Sequence, residues 1–184
     1  EALSQLEMAG ASNVDGLRSD DLDAEQIALS ELWIVCKFDY AWLKAARMQF
    51  PEAEQMLTES RQMIEFLHGK QHQLYALYFA RRSRVKKMEN NPEAALADLQ
   101  RSTNLLMQIR GQISPAAYLD VAAEAVALLQ ILSKHDAAAE LSEKSILVSK
   151  EIYPPNSPEI AFALHSHAGI LEAASQAEVA FVIA

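Results

Sequence analysis

The sequence predicts an all-α protein built as an array of antiparallel helical hairpins. Two observations support this fold class: one motif occurs three times at spacings of 42 and 43 residues, and the residues that flank it are typical of helix ends. With 51% hydrophobic residues in a chain of 184, there is enough apolar material for a substantial core. The elements follow from the repeat and its flanking residues.

The repeated motif is found in PEAEQMLTES (51–60), PEAALADLQRS (92–102) and DAAAELSEKS (136–145). Aligning the copies superimposes three alanines, and small residues at a helix crossing allow two backbones to pack closely. A second mark has the same period, because Ser114-Pro115 precedes Ser157-Pro158 by 43 residues and His72 precedes Ser114 by 42. The aligned positions are Ala53, Ala95 and Ala138; Leu57, Leu99 and Ser142; and Ser60, Ser102 and Ser145.

Helix starts and ends are indicated by proline, serine and glycine. Proline suits the first helical turn, and four prolines open apolar-periodic runs: Pro51, Pro92, Pro115 and Pro158. Ser114 and Ser157 are expected as N-caps, and Gly69 and Gly111 as the left-handed residues that close helices. The predicted helices cover residues 24–48, 51–68, 73–89, 92–110, 115–133, 136–152 and 158–175.

Charge divides the chain into two regions. Residues 1–31 contain eight acidic residues and one arginine, whereas the rest is nearly balanced within a total of −9. We expect residues 1–23 to form an acidic, flexible segment that can include a short helix, and residues 24–184 to form the repeat domain. Its units are expected at 24–69, 72–111, 114–153 and 157–184. Because the chain begins at Glu1 and ends in an alanine-rich run, we expect it to be an excerpt of a longer protein.

Composition argues against several function classes. An acidic protein is a poor candidate for nucleic-acid binding, and the absence of an apolar run of about 20 residues predicts no membrane insertion. The single cysteine, Cys36, is expected to be a buried small hydrophobe. We expect a soluble protein of the cytoplasm. The five histidines show no known catalytic spacing, and His165 and His167, two apart on a helix, point to different faces and cannot share a metal. We therefore expect no catalytic residue, cofactor or metal.

The segment Phe50-Pro-Glu-Ala53, with Leu57 and Ser60, resembles the second helix of tetratricopeptide repeat (TPR) proteins, and residues 77–99 match best. The long period and the Ser-Pro or His opening of each first helix are similar to the kinesin-light-chain variety of these repeats. The resemblance covers residues 27–175. It implies a right-handed α-solenoid of about three and a half repeats, in which first helices line a concave surface for a partner's peptide or helix.

The candidate binding residues are charged and aromatic side chains of the first helices. Arg81, Arg84 and Lys87, spaced i, i+3, i+6, form one stripe that could grip an acidic partner segment. The alternative is a solvated face with one arginine of the cationic run Arg81–Lys87 buried through its stem. Trp42 and Phe38 are one turn apart, so they form either an aromatic shelf in the groove or part of the core.

Two functional hypotheses follow. The first is a non-catalytic scaffold or adaptor module that binds a partner peptide or helix in the concave groove. The alternative is the helical regulatory or substrate-recognition tail of a larger enzyme, because YPPNSPEIAFALH (153–165) is similar to the helical tail of SET- and MYND-domain lysine methyltransferases. Self-association through the terminal repeats is a third, structural hypothesis.

Overall fold

In a computed structural model, residues 22–112 and 114–183 are described, with their side chains except those of residues 112 and 176–183. This part of the chain is all-helical and contains no strand, which confirms the all-α prediction. The expected acidic segment 1–23 lies outside the described residues, apart from its last two. The helices are α1 (Ala24–Ala46), α2 (Phe50–His68), α3 (Gln73–Met88), α4 (Pro92–Gln108), α5 (Pro115–Ile131), α6 (His135–Ile152) and α7 (Pro158–Ile183), with a 3₁₀ turn at Arg110–Gln112.

These bounds agree with the predicted helices to within two residues at every end except that of α7, which continues to Ile183. Within the described residues, no helix is both long and apolar enough to pass through a bilayer. The chain divides into two compact units, Glu1–Asp98 and Leu99–Ala184, and the division falls inside α4. In the first unit α1, α2 and α3 pack on one another, and in the second unit α6 packs on α5 and α7.

Burial repeats along the first helices of the hairpins (α1, α3 and α5) with the 42-residue period of the sequence. Three sets of equivalent positions are all no more than 4% exposed: Ile34, Ala76 and Tyr118; Phe38, Ala80 and Ala122; and Ala41, Ser83 and Ala125. In the second helices, the three motif alanines are fully buried. Ser60 and Ser145 each donate a hydroxyl hydrogen bond to the carbonyl four residues earlier. The motif therefore marks the buried face of each second helix.

The turn that follows each first helix is also repeated. Met48, Asn90 and Ser133 adopt left-handed φ angles of 61°, 57° and 56°. In each turn the next residue donates its N–H to the carbonyl five residues before it, at 2.9 Å: Gln49 to Lys44, Asn91 to Lys86, and Lys134 to Leu129. This pattern is the Schellman motif, which satisfies carbonyls at a helix end. One turn conformation therefore recurs at the spacings of the motif, with no glycine in it.

Helix starts are capped in several ways. Asp23 and Gln26 form a capping box at the start of α1, with a 2.8 Å bond from the Gln26 N–H to Asp23 Oδ1. Ser157 Oγ accepts the Ile160 N–H at 3.3 Å, as expected, whereas Ser114 occupies the N-cap position without a side-chain bond.

Of the two glycines that were expected to close helices, only one does so with a left-handed φ. Gly69 closes α2 at φ 72°, as expected. The expectation for Gly111 was wrong, because α4 ends in the 3₁₀ turn that contains Gly111, and this residue does not have a left-handed φ. A 3₁₀ turn tightens a helix end without a left-handed residue, so it replaces the closure that glycine would have supplied.

Candidate functional site

Among the cations of α3, Arg82 and Lys86 form ion pairs inside the first unit. The guanidinium of Arg82 forms a bidentate ion pair with Asp98, in which Nε donates to Oδ2 at 2.7 Å. The same guanidinium also donates to Tyr78 Oη at 2.9 Å. Asp98 is only 2% exposed. Its hydrogen bonds raise the pKa of Arg82; the partial burial of Arg82 opposes this shift, and the nearby Tyr78 adds to it. The solvated-face interpretation of the cationic run expected one arginine to be buried through its stem. Arg82, which is partly buried, corresponds to that arginine.

Lys86 is the second engaged cation. Its Nζ lies 2.6 Å from Glu54 on α2 and 2.8 Å from Glu89. Burial lowers the pKa of Lys86, but the interactions of its ammonium group with the carboxylates of Glu54 and Glu89 outweigh this effect, and the pKa is raised. The pairs with Asp98 and Glu54 hold α3 against neighbouring helices, whereas Glu89 is the C-cap of α3 itself. Arg82 and Lys86 therefore serve the fold of the first unit.

The predicted stripe consists of the other three cations, Arg81, Arg84 and Lys87. Arg81 and Arg84 are half-buried and Lys87 is exposed. The Nε of Arg81 is shielded from solvent and has no hydrogen-bond partner. A shielded guanidinium nitrogen without an acceptor is costly, so a movement of the Arg81 side chain that brought this nitrogen to an acidic ligand would remove a penalty already present. The stripe remains a prediction, and Arg81 is its most informative member.

The structure places the two aromatic candidates in different environments. Phe38 is 1% exposed and belongs to the core of the first unit, so it does not form an accessible shelf with Trp42, which is 46% exposed. The core alternative therefore describes Phe38. The 42-residue period could have shown this, because Phe38 aligns with the buried Ala80 and Ala122.

A groove runs along the second unit between α5 and α7, with α6 as its floor, and has a volume of about 940 Å³. Its walls carry apolar side chains, including Leu119, Val126 and Phe162, the last of which is 73% exposed. Serines of α6 line the floor, and Asp120 and Glu159 are the charged residues of the lining. A concave, mostly apolar surface with a few polar groups is typical of a binding site.

Two of the three stripe residues occupy helical positions equivalent to the groove lining, whereas the third, Lys87, aligns with the buried Leu129. Adding one repeat of 42 residues to Arg81 and Arg84 gives Ala123 and Val126, and both of these line the groove. Subtracting 42 from Arg84 gives Trp42 on α1. Sequence analysis named Arg81, Arg84 and Trp42 of this series but missed Ala123 and Val126, which the same period would have identified.

A cluster of ligand-type atoms joins three helices of the first unit. Oxygen or nitrogen atoms of Glu31, His68 and His72 all lie within 4.8 Å of one another. His68 Nε2 is 2.9 Å from Glu31 Oε1 but poorly aligned for a hydrogen bond, and the two imidazole rings are stacked at 4.0 Å. Sequence analysis missed this cluster, although the spacing of four between the histidines was visible.

Two features of this cluster oppose metal binding. Nearly parallel stacked rings point their in-plane lone pairs side by side, whereas ligands of tetrahedral zinc converge and lie about 3.4 Å apart. In addition, His72 Nδ1 accepts the Leu74 N–H at 3.3 Å as the cap of α3, so its neutral form carries the proton on Nε2. Burial, followed by the neighbouring His68, lowers the pKa of His72 against the opposing effect of Glu31. His72 therefore serves as the neutral cap of α3 rather than as a metal ligand.

Cys36 corrects a second expectation from the sequence. It was expected to be buried, but it is exposed. The buried face of α1 carries Ile34, Phe38, Ala41 and Ala45, and Cys36 lies on the opposite face. The run LWIVCKF is apolar on nearly every side, so composition alone could not select the buried face.

Comparison of the chain with models of known protein families and with curated proteins gave no match. The groove of the second unit and the stripe of the first unit are therefore described from the structure of this chain and not from a relative. Ala123 and Val126 of the groove occupy the repeat positions of Arg81 and Arg84, and the two surfaces differ in charge.

Proposed function

We propose that this chain is a non-catalytic protein-interaction module, a right-handed α-solenoid of tetratricopeptide type that binds a partner's peptide or helix with its first helices. The observation that carries the proposal is the groove between α5 and α7, lined at the repeat positions that α3 fills with Arg81 and Arg84. The recurring burial and the recurring turns support the solenoid. The proposed role is that of a scaffold or adaptor.

The chemistry of each surface indicates what it would bind. In the second unit, alanines and serines leave room for a ligand backbone, and Leu119, Val126 and Phe162 offer contacts for an apolar face. Asp120 and Glu159 favour a cation on that ligand. An amphipathic helix with a basic flank fits this groove.

In the first unit, Arg81, Arg84 and Lys87 would instead hold an acidic segment through charge-assisted hydrogen bonds. Trp42, at the position equivalent to Arg84, would contribute its exposed ring. Phe38 is left out because it is buried.

The test is a selection of binding peptides from a displayed library, followed by affinity measurements on purified variants. Ala123→Trp fills the groove, and Ala161→Trp, at an exposed position of α7 outside its lining, is the matched control. We expect Ala123→Trp to weaken selected apolar peptides at least tenfold and Ala161→Trp to leave them unchanged. Equal affinities for both variants, with both folded by circular dichroism, would contradict the assignment of the groove.

The stripe needs its own variant, Arg81→Glu, Arg84→Glu and Lys87→Glu together. Its control replaces two exposed lysines away from the stripe, Lys70→Glu and Lys150→Glu. Loss of acidic peptides in the first variant alone would support the stripe. The same loss in both variants would reduce it to general electrostatic attraction.

A further inference from the structure

The outer face of α1 carries an exposed apolar stripe opposite its buried face. Leu29, Leu32, Tyr40 and Leu43 are 39%, 60%, 50% and 47% exposed, and Cys36 is exposed among them. Successive gaps of three, four, four and three residues keep all five within a narrow sector of the helix, like the seam of a coiled coil. The stripe is about 21 Å long at 1.5 Å per residue. We call it the α1 seam.

The α1 seam is symmetric about Cys36. Its members lie seven and four residues before Cys36 and four and seven residues after it. If two copies of α1 pack antiparallel about a two-fold axis at Cys36, Leu29 of one copy faces Leu43 of the other, and Leu32 faces Tyr40. A surface that matches its own two-fold image is what a symmetric dimer requires.

The charges beyond the seam follow the same symmetry. Glu25 lies eleven residues before Cys36 and Arg47 eleven residues after it, and both are exposed. Eleven residues are close to three turns, so both lie on the face of the seam. An antiparallel pair would place Glu25 opposite the Arg47 of its partner at each end, whereas a parallel pair would place like charges together.

From this geometry we infer that the chain associates with a second copy of itself, α1 against α1 in antiparallel orientation, with the two Cys36 side chains facing each other at the two-fold axis. A single helix pair of this length is a small interface, so the dimer is expected to dissociate in the micromolar range, at about 1–100 μM. The surface is separate from the groove of the proposed function, and the inference stands without it.

The full chain offers a direct probe, because Cys36 is its only cysteine. Mild oxidation, or a short bifunctional maleimide, at protein concentrations from 1 to 200 μM should trap a dimer joined at Cys36, since helices in contact lie about 8–10 Å apart. Sedimentation under reducing conditions should give a monomer–dimer equilibrium over the same range. A chain that stays monomeric throughout would overturn the inference, as would a dimer in which Cys36 cannot be linked.

Variants at exposed apolar positions distinguish association through the α1 seam from non-specific hydrophobic association. Leu32→Glu should weaken dimerisation at least tenfold, while Leu147→Glu, at a 58% exposed position of α6, should leave it unchanged. Both should remain helical by circular dichroism. Equal dimerisation of the two variants would place the contact elsewhere and refute the α1 seam.

Charge reversal tests the orientation. Glu25→Arg alone and Arg47→Glu alone should each weaken the dimer several-fold, because each places like charges together at both ends, and the double variant should restore it. A contribution of these residues to the stability of α1 alone would produce no rescue. If the full chain is monomeric and dimerises only after removal of residues 1–21, that segment occupies the seam and the inference fails.

Discussion

The two units place different chemistry at equivalent positions of the same repeat. In the first unit, α3 carries tyrosines, a phenylalanine and five cations, with a buried Arg82–Asp98 pair. In the second unit, α5 has alanine and valine at the positions of Arg81 and Arg84, and an open groove lies beside them. The period of the repeat thus aligns the positions that face the core and those that face the groove, while side-chain size and charge determine whether that space is filled.

The largest expected effect comes from a core position that differs between repeats, the one filled by Phe38 in α1. Phe38→Ala should reduce the free energy of unfolding by about 4 kcal/mol, because it leaves a cavity in a packed core. The equivalent residues, Ala80 and Ala122, are already small, so this position is filled by an aromatic ring only in the first repeat. Urea unfolding of Phe38→Ala and Trp42→Ala would test the assignment of Phe38 to the core, and a similar loss for both variants would contradict it.

The ion pairs of the two units should differ next. Arg82→Met leaves the carboxylate of Asp98 buried without its partner and should destabilise the first unit by about 3 kcal/mol. Arg110→Met removes an exposed pair with Glu151 in the second unit and should cost less than about 1 kcal/mol. Chemical denaturation of both variants measures the difference. Equal losses of stability would show that the burial of Asp98 does not make the Arg82–Asp98 pair more important for folding than the exposed Arg110–Glu151 pair.

A pH effect should distinguish the histidine cap of α3 from the serine caps of later repeats. The pKa of His72 is lowered from its ordinary 6.5, so the unfolded chain takes up this proton before the folded chain does. The contribution of neutral His72 to stability is therefore complete above about pH 6.5 and is lost as the pH falls through the lowered folded value.

His72→Ser would give α3 the residue type found at Ser114 and Ser157 and should flatten this part of the stability profile. His165→Ser, at an exposed position of α7, is the control and should leave the profile unchanged. Thermal unfolding between pH 5 and 8 measures both variants. A decline toward acid that persists in His72→Ser would assign the effect to other groups.

The smallest effects concern the shared turns. Because an L-residue other than glycine is strained in the left-handed conformation, Met48→Gly and Ser133→Gly should each stabilise the fold by about 0.5–1 kcal/mol. Asn90→Gly should gain less, since asparagine tolerates this conformation. Denaturation midpoints of the three variants test whether the three turns behave alike. If any one glycine substitution destabilised the fold, the turns would not be equivalent.

Helix bounds could be predicted from the sequence because prolines and the repeat period are local signals. Faces were harder to predict. The run LWIVCKF is apolar on almost every side, so the buried position of Phe38 and the exposed position of Cys36 depend on which neighbours pack against α1. The period contained part of that information, because it aligns Phe38 with Ala80 and Ala122.

Residues of the two candidate surfaces could be predicted from the sequence only where they were charged or aromatic. Ala123 and Val126 are ordinary residues of a helix, and their role depends on the space left beside them by α6 and α7. The cluster of Glu31, His68 and His72 joins residues on three helices, with Glu31 far from the histidines in sequence, so its geometry required the fold. The pairing of Arg82 with Asp98 likewise depended on tertiary packing.

The pattern of helix packing also has a consequence for how the chain acquires its structure. The principal packing pairs of both units join helices that are adjacent or next but one in the chain. Contacts of short sequence separation close small loops, and chains dominated by them cross their folding barrier in microseconds to milliseconds. We therefore expect rapid folding that can begin in either unit, with hairpins formed before distant segments have been synthesised.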